Sequence, residues 1–262
     1  MTLEGKFICI TGASGGIGKE VAFEVSKRGA TPILMARSLD KLEEVAAQIK
    51  SQHNKDAIVI PVDVGNIEQV QAAFSSLLEK VPTVHCLVNN AGFGIFDEVL
   101  HMNLNDMEKM FEVNVFGLMA CTKLVLPAMI EQNSGHIINI ASQAGKLATP
   151  KSSVYSATKH AVLGFTNSLR MELHGTNIYV TAVNPGPIRT NFFHVADASG
   201  DYASKVDKWM LDPNVVASKI VDTMFTNKRE INLPGWMNAS AKMYALFPTL
   251  VEKMAGPAFR KK

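Results

Sequence analysis

Residues 11–18 read Thr11-Gly12-Ala13-Ser14-Gly15-Gly16-Ile17-Gly18, between an apolar strand at residues 7–11 and an amphipathic helix predicted at residues 16–29. Glycines let a backbone approach phosphates closely, and a helix N-terminus offers free N–H groups and a positive dipole end. The stretch therefore predicts a pyrophosphate cradle at the end of the first strand. The residues of the loop expected to contact it are Gly12, Ser14, Gly16, Ile17 and Gly18.

Two other glycine-containing motifs resemble this loop in part. A Walker P-loop fails, because Glu20 follows Lys19 where that motif needs Ser or Thr, and because Ala13 stands five residues before Gly18. The G-x-S-x-G nucleophile elbow does match residues 12–16, but it would follow the very first strand, with no earlier strand to supply an oxyanion loop. A tight turn without a ligand also stays open.

Working outward from the loop, short apolar runs alternate with segments of helical period along the chain. This alternation is typical of βαβ units and a parallel sheet covered on both faces. We predict an α/β fold with a single doubly wound sheet of about seven strands and helices on both faces. The strands are expected at residues 7–11, 32–36, 57–64, 84–89, 136–141, 178–183 and 230–233, and the main helices at residues 16–29, 67–79, 105–130, 154–173 and 215–226.

Composition narrows the class of protein. The 26 Lys and Arg residues nearly balance 24 Asp and Glu, which argues against a nucleic-acid binder. Cys9, Cys86 and Cys121 lie too far apart for a disulfide framework, which favours a reducing, cytoplasmic location. No run of 18 apolar residues predicts a transmembrane segment, the start of the chain leaves no room for a signal peptide, and the histidines show no metal-binding spacing.

The end of the second predicted strand indicates which nucleotide the loop would hold. Arg37 stands 19 residues after Gly18, with Ser38 next, and no carboxylate is there to bind a ribose 2′-hydroxyl. A guanidinium can bind a 2′-phosphate through charge-assisted hydrogen bonds, so the sequence favours NADP(H) over NAD(H). A solvated loop charge is the alternative for Arg37.

Further motifs follow the loop in order. Asp63-Val64 ends the third strand region, residues 89–92 read Asn-Asn-Ala-Gly, and residues 185–190 read Pro-Gly-Pro-Ile-Arg-Thr. With Asn114, Ser142, and the Y-x-x-x-K pair Tyr155 and Lys159, the chain resembles the short-chain dehydrogenases/reductases over about residues 5–235. The resemblance implies one Rossmann-type domain at 1–235, a homodimer or homotetramer, and NADP(H) contacts from Arg37, Ser38, Asp63, Val64, Asn90, Gly92, Tyr155, Lys159, Pro185, Gly186, Ile188 and Thr190.

Tyr155 and Lys159 are four residues apart, hence on one helix face. A neighbouring ammonium favours the phenolate, so we expect Lys159 to lower the pKa of Tyr155. The resemblance implies that Tyr155 is the general acid/base, that Lys159 binds the nicotinamide ribose, that Ser142 holds the substrate oxygen and that Asn114 fixes a water. Taken singly, these residues could be a core tyrosine, a surface lysine, a turn serine and a capping asparagine.

We therefore expect the protein to catalyse NADP(H)-dependent hydride transfer between nicotinamide and a carbonyl or secondary alcohol. Residues 191–211 resemble the family's substrate lid, where Phe192 and Phe193 would form an apolar pocket wall for a lipid-like substrate, or simply core contacts. Two alternatives are a 3-oxoacyl-carrier-protein-type reductase and a non-catalytic, cofactor-binding sensor on the same fold.

The segment 236–262 is an apolar extension with rough helical spacing that ends in Arg260-Lys261-Lys262. Packing on the same domain or on a partner subunit is the default expectation. Weak contact with a membrane surface is the alternative, because apolar residues followed by basic ones suit that interface. Pro248 and Pro257 would interrupt a continuous amphipathic helix.

Overall fold

Seven parallel strands form the centre of the molecule in the order β3-β2-β1-β4-β5-β6-β7, which confirms the predicted doubly wound sheet. The computed structural model describes residues 2–197 and 200–259, so the basic end at residues 260–262 lies outside the described residues. The strands are β1 (Phe7–Thr11), β2 (Thr31–Ala36), β3 (Ile58–Pro61), β4 (Cys86–Asn89), β5 (Gly135–Ile140), β6 (Ile178–Pro185) and β7 (Glu230–Leu233).

Helices cover both faces of this sheet. Along β1, Ile8 and Ile10 pack on one side and Cys9 on the other, because successive side chains of a strand alternate in direction. The helices are α1 (Gly16–Lys27), α2 (Leu39–His53), α3 (Ile67–Lys80), α4 (Leu104–Phe111), α5 (Leu118–Glu131), α6 (Ser153–Glu172), α7 (Phe192–Ala196), α8 (Asp201–Val206), α9 (Pro213–Asp222), α10 (Gly235–Leu246) and α11 (Pro248–Phe259).

The predicted long helix at residues 105–130 is continuous but not uniform. A π-helical segment, Glu112–Gly117, lies between α4 and α5, and it contains Asn114. Gly117 lies against the carbonyl of Val64, where a side chain would collide. By length and composition the stretch Leu104–Glu131 could cross a membrane, and 44% of its most apolar window is buried inside the protein.

The sheet reverses its winding between β1 and β4, which are neighbours although they are not consecutive in sequence. In open α/β sheets a crevice for ligands forms at such a point, outside the carboxyl ends of the strands. The loops after β1, β4, β5 and β6 all leave the sheet at this edge. The sequence motifs named above therefore converge on one side of the molecule.

Candidate active site

The glycine loop turns sharply into α1. Gly12 and Gly16 have φ angles of +67° and +54°, which favour glycine. A methyl group at Gly12 would lie 2.9 Å from Asn90 Nδ2, and one at Gly18 would collide with the Gly12 carbonyl. The N-terminus of α1 follows Gly15, so no side chain at this position caps the first N–H groups of the helix.

The loop after β4 holds this turn in place. Thr11 Oγ1 accepts from the backbone N–H groups of Asn90 and Ala91, at 3.0 Å each. Asn90 Nδ2 donates to the carbonyls of Thr11, at 2.9 Å, and Gly12, at 3.2 Å. Asn90 therefore acts on the shape of the glycine loop, and the predicted nucleotide contact of Asn90 is untested.

The predicted selector residues lie at the ends of β2 and β3, on the same edge. The side chain of Arg37 is exposed and makes no hydrogen bond or ion pair with the residues that the structure describes. Ser38 directly precedes α2, and its hydroxyl makes no capping hydrogen bond to that helix. Asp63 accepts from Gly65 N at 2.9 Å, which shapes the turn before α3, and Val64 is buried.

The predicted catalytic residues converge beyond the loop after β4. Lys159 Nζ donates to the carbonyl of Ile140 at 2.9 Å and lies 5.7 Å from the centre of the Tyr155 ring. A methyl group at Gly92 would lie 3.0 Å from Asn114 Oδ1 and 3.6 Å from Lys159 Nζ. Burial lowers the pKa of Lys159 to about 8.

Tyr155 is buried, with a hydrogen bond to the Ser142 hydroxyl. Burial raises the pKa of Tyr155 to about 12, although the hydrogen bond with Ser142 opposes this. The expected lowering of this pKa by Lys159 is therefore wrong for this structure, because desolvation of Tyr155 has the largest effect. Ser142 Oγ accepts from Ala144 N at 3.1 Å and contacts the Pro185 carbonyl at 3.5 Å.

Aromatic side chains enclose Tyr155. Phe96 and Phe192 have ring centres 5.8 and 5.7 Å from that of Tyr155, and Phe193 lies 5.5 Å from Phe192. Tyr202 packs on Phe96 at 5.4 Å. We call these four residues and Tyr155 the aromatic cluster. Sequence reasoning named Phe192 and Phe193 but missed Phe96, whose signal was the Phe93-Gly94-Ile95-Phe96 run directly after the Asn-Asn-Ala-Gly motif.

The segment after β6 links the lid to the glycine loop. Gly186 N donates to Leu233 O at 2.6 Å, and Ile188 is buried in a bridge with Leu211. A methyl group at Gly16 would lie 3.5 Å from Thr190. Residues 191–211 contain short helices where no clear period was expected, and Phe96 N donates to Ala196 O at 2.7 Å, which ties the lid to the loop after β4.

A polar group beside Ser142 was not anticipated from the sequence. Lys146 pairs with Glu230 and donates to Asn232 Oδ1 at 3.0 Å, and Asn184 donates to the same oxygen at 3.0 Å. Gln143 Nε2 donates to the Asn184 carbonyl at 2.8 Å. These contacts tie the turn after β5 to β6 and β7, so they support the position of Ser142.

The residues present fit a dinucleotide. The backbone of the glycine loop is exposed at Gly15 and Gly16, and the close approaches at Gly12 and Gly18 leave no space for side chains. Arg37, Asp63 and Gly92 lie on the same edge of the sheet. The N-terminus of α1 would hold the phosphates, because its uncapped N–H groups can donate hydrogen bonds to an anion.

Comparison with known proteins agrees with this geometry. Residues 6–199 match the family model described as short chain dehydrogenase. The chain belongs to the short-chain dehydrogenase family. An NADP-dependent 3-hydroxy acid dehydrogenase of Schizosaccharomyces pombe is 38% identical over 192 residues, which cover 72% of this chain and 74% of the relative.

Solved structures of this family superpose closely on the protein. A short chain dehydrogenase/reductase from Burkholderia phymatum, in complex with NAD, matches with a TM-score of 0.87 at 26% identity, covering 95% of this chain and 96% of that one. The closed form of a serine dehydrogenase complexed with NADP⁺ matches at 0.77 with 30% identity, covering 86% and 94%. The protein is thus an oxidoreductase-family member with a nicotinamide-binding fold.

Proposed function

We propose that the protein is an NADP(H)-dependent oxidoreductase that transfers a hydride between nicotinamide and an apolar carbonyl or secondary alcohol. The observation that supports the proposal most strongly is the arrangement of side chains around Tyr155. Its buried hydroxyl has a hydrogen bond to Ser142, Lys159 lies beside its ring, and the aromatic cluster encloses it. A purely cofactor-binding sensor would need no such group.

Four residues of the chain have separate roles in the proposed reaction. A nicotinamide cofactor, when bound, would supply the hydride chemistry. Tyr155 is held in its protonated form by burial, which suits it to give a proton to a carbonyl oxygen as general acid. Ser142 donates a second hydrogen bond to that oxygen and fixes its position. Lys159 would bind the nicotinamide ribose, and Asn114 fixes the backbone of Phe93 in the loop after β4.

Cofactor preference rests on Arg37. It is an exposed guanidinium at the end of β2, where a carboxylate would repel a 2′-phosphate. A relative named as NADP-dependent and a neighbour complexed with NADP⁺ support the preference, whereas another neighbour is complexed with NAD. Homo-oligomeric assembly, a cytoplasmic location and the division into 1–235 and 236–262 stay predictions.

The substrate is proposed to be apolar because rings and thioethers pack around Tyr155. Met102 and Met110 are buried in one cluster with Tyr155, and Phe93 and Phe96 pack against it. Such a surface favours hydrocarbon over charged groups.

The test follows NADPH oxidation by the purified protein with aliphatic ketones, aromatic ketones, lipid aldehydes and β-ketoacyl thioesters, and NADP⁺ reduction with hydroxy acids. We expect turnover that rises with the apolar surface of the carbonyl compound. Turnover confined to thioesters on a carrier protein would favour the 3-oxoacyl reductase instead. Tight NADPH binding without turnover of any compound would contradict the enzyme and favour the sensor.

A further inference from the structure

An exposed apolar surface lies at the C-terminal end of the described chain. Large apolar side chains there are at least half exposed, although the core of the same protein is well filled. Monomeric proteins rarely leave contiguous apolar patches of this kind without a use. We call the set the C-terminal apolar surface: Trp209, Trp236, Met243, Leu246, Phe247, Leu250 and Met254.

Helix α10 explains why these residues face outward. Ala241 is buried and Met237 lies against Gly186, so one face of the helix packs on the domain. Trp236, Met243 and Phe247 are spaced by seven and four residues, which places them together on the opposite face. A hydrogen bond from Tyr244 to Glu252, at 3.0 Å, joins α10 to α11.

The same surface borders the lid over the active site. Trp209, in the segment after α8, packs on Trp236 of α10 with ring centres 5.9 Å apart. Lys208 Nζ lies 6.0 Å from the centre of the Trp209 ring. The segment that begins with Phe192 and Phe193 in the aromatic cluster therefore ends at the C-terminal apolar surface.

Charge favours one kind of occupant. Residues 235–262 contain five basic residues and one acidic residue, whereas the rest of the chain has 21 basic and 23 acidic residues. A second copy bound through a twofold axis would place the exposed Lys208, Lys242 and Lys253 of the two copies on one shared interface, which like charges oppose. An anionic lipid surface complements it, and tryptophans with neighbouring lysines suit the depth of lipid headgroups.

We propose that the C-terminal apolar surface docks on an anionic lipid bilayer. Trp209, Trp236 and Leu246 would enter the headgroup region, and Lys208, Lys242 and Lys253 would face the lipid phosphates. Docking would set the lid end of the active site against the bilayer. The proposal concerns binding only and holds whatever the substrate is.

Tryptophan fluorescence tests the proposal directly, because both tryptophans of the chain lie in this surface. The full chain is mixed with vesicles of phosphatidylcholine alone, or with about one quarter phosphatidylglycerol to supply anionic charge. We expect co-sedimentation, a blue shift, and quenching by brominated lipid with the anionic vesicles, each weakened by salt. Unchanged emission and no co-sedimentation would overturn the proposal.

Matched variants separate docking from a general effect of exposed apolar residues. Leu246 and Leu100 are both exposed leucines, at 71% and 85%. Leu246→Asp and the double variant K242E/K253E should each weaken vesicle binding about tenfold or more, and Leu100→Asp should not. Equal loss with Leu100→Asp would contradict the proposal. The proposal would also be contradicted if light scattering showed that Leu246→Asp splits a dimer while vesicle binding is unchanged.

Discussion

Asn114 holds the backbone of Phe93 with both ends of its carboxamide. Its Oδ1 accepts from Phe93 N at 2.9 Å, and its Nδ2 donates to Phe93 O at 2.8 Å and contacts Thr158 Oγ1 at 3.2 Å. The side chain thus joins the π-helical segment to the loop after β4 and to the helix of Tyr155. This pairing explains why Asn stands at this point of the long helix: its side chain positions the loop after β4 against the helix of Tyr155.

Replacing Asn114 by Leu should destabilise the protein by about 2–3 kcal/mol, because two partly buried backbone groups of Phe93 lose their partners. Asn105→Leu is the matched control, since Asn105 is exposed on the same helix. Urea unfolding with an unchanged m-value checks the difference. Equal stability of the two variants would show that the pairing with Phe93 contributes nothing.

Much of this fold was predictable because sheet and helix periods are local signals. β1 and β7 begin and end where the apolar runs do, and the helices lie within a few residues of their predicted ranges. The π-helical segment was not predictable, because it depends on the contact between Gly117 and the carbonyl of Val64, which belongs to another part of the chain. The short helices of residues 191–211 could not be predicted for a similar reason, because contacts between distant residues, such as Phe96 N to Ala196 O, hold them.

The candidate site divides in the same way. Residues at fixed spacing, such as Tyr155 and Lys159, could be named from the sequence. Their electrostatics could not, because burial by Phe96 and Phe192, which sets the direction of the Tyr155 pKa, comes from the folded arrangement. The pair of Lys146 and Glu230 could not be predicted from a local motif, because the two residues lie 84 positions apart in the sequence.

Tyr155→Phe should lose about 10²–10⁴-fold in turnover while NADPH binding is unchanged, because only the proton-transferring hydroxyl is removed. The ring and its contacts with Phe96 and Phe192 remain. Single-turnover kinetics and NADPH fluorescence titration measure the two quantities. A variant that turns over as fast as the original protein would remove Tyr155 from the mechanism.

Arg37→Ala should raise the KM for NADPH about 10–100-fold and leave that for NADH unchanged, because a charge-assisted hydrogen bond contributes about 1.5–3 kcal/mol. Lys27→Ala is the control, since Lys27 is exposed at the opposite end of α1. Steady-state kinetics with both nucleotides decide the matter. A parallel change for NADH, or a preference for NADH in the original protein, would contradict the assignment.

Lys159 should make stability depend on pH in a defined window. Its folded-state pKa is about 8, against 10.5 for the ordinary group, so the unfolded chain binds more protons between these values. The free energy of unfolding, relative to Lys159→Met, should therefore rise by about 3 kcal/mol from pH 8 to pH 10.5 and stay flat below pH 8. Parallel curves for the two proteins would mean that Lys159 has an ordinary pKa.

Gly94→Ala should lower turnover roughly several-fold without weakening NADPH binding. The added methyl would lie 3.0 Å from both Tyr155 Cδ2 and Phe192 Cζ, so these rings must move apart by a few tenths of an ångström. Small displacements of a reacting group are costly, because proton transfer needs hydrogen-bond geometry. Gly235→Ala is the control, since a methyl there meets nothing within 4 Å. If both variants have the original turnover number, the aromatic cluster does not position Tyr155.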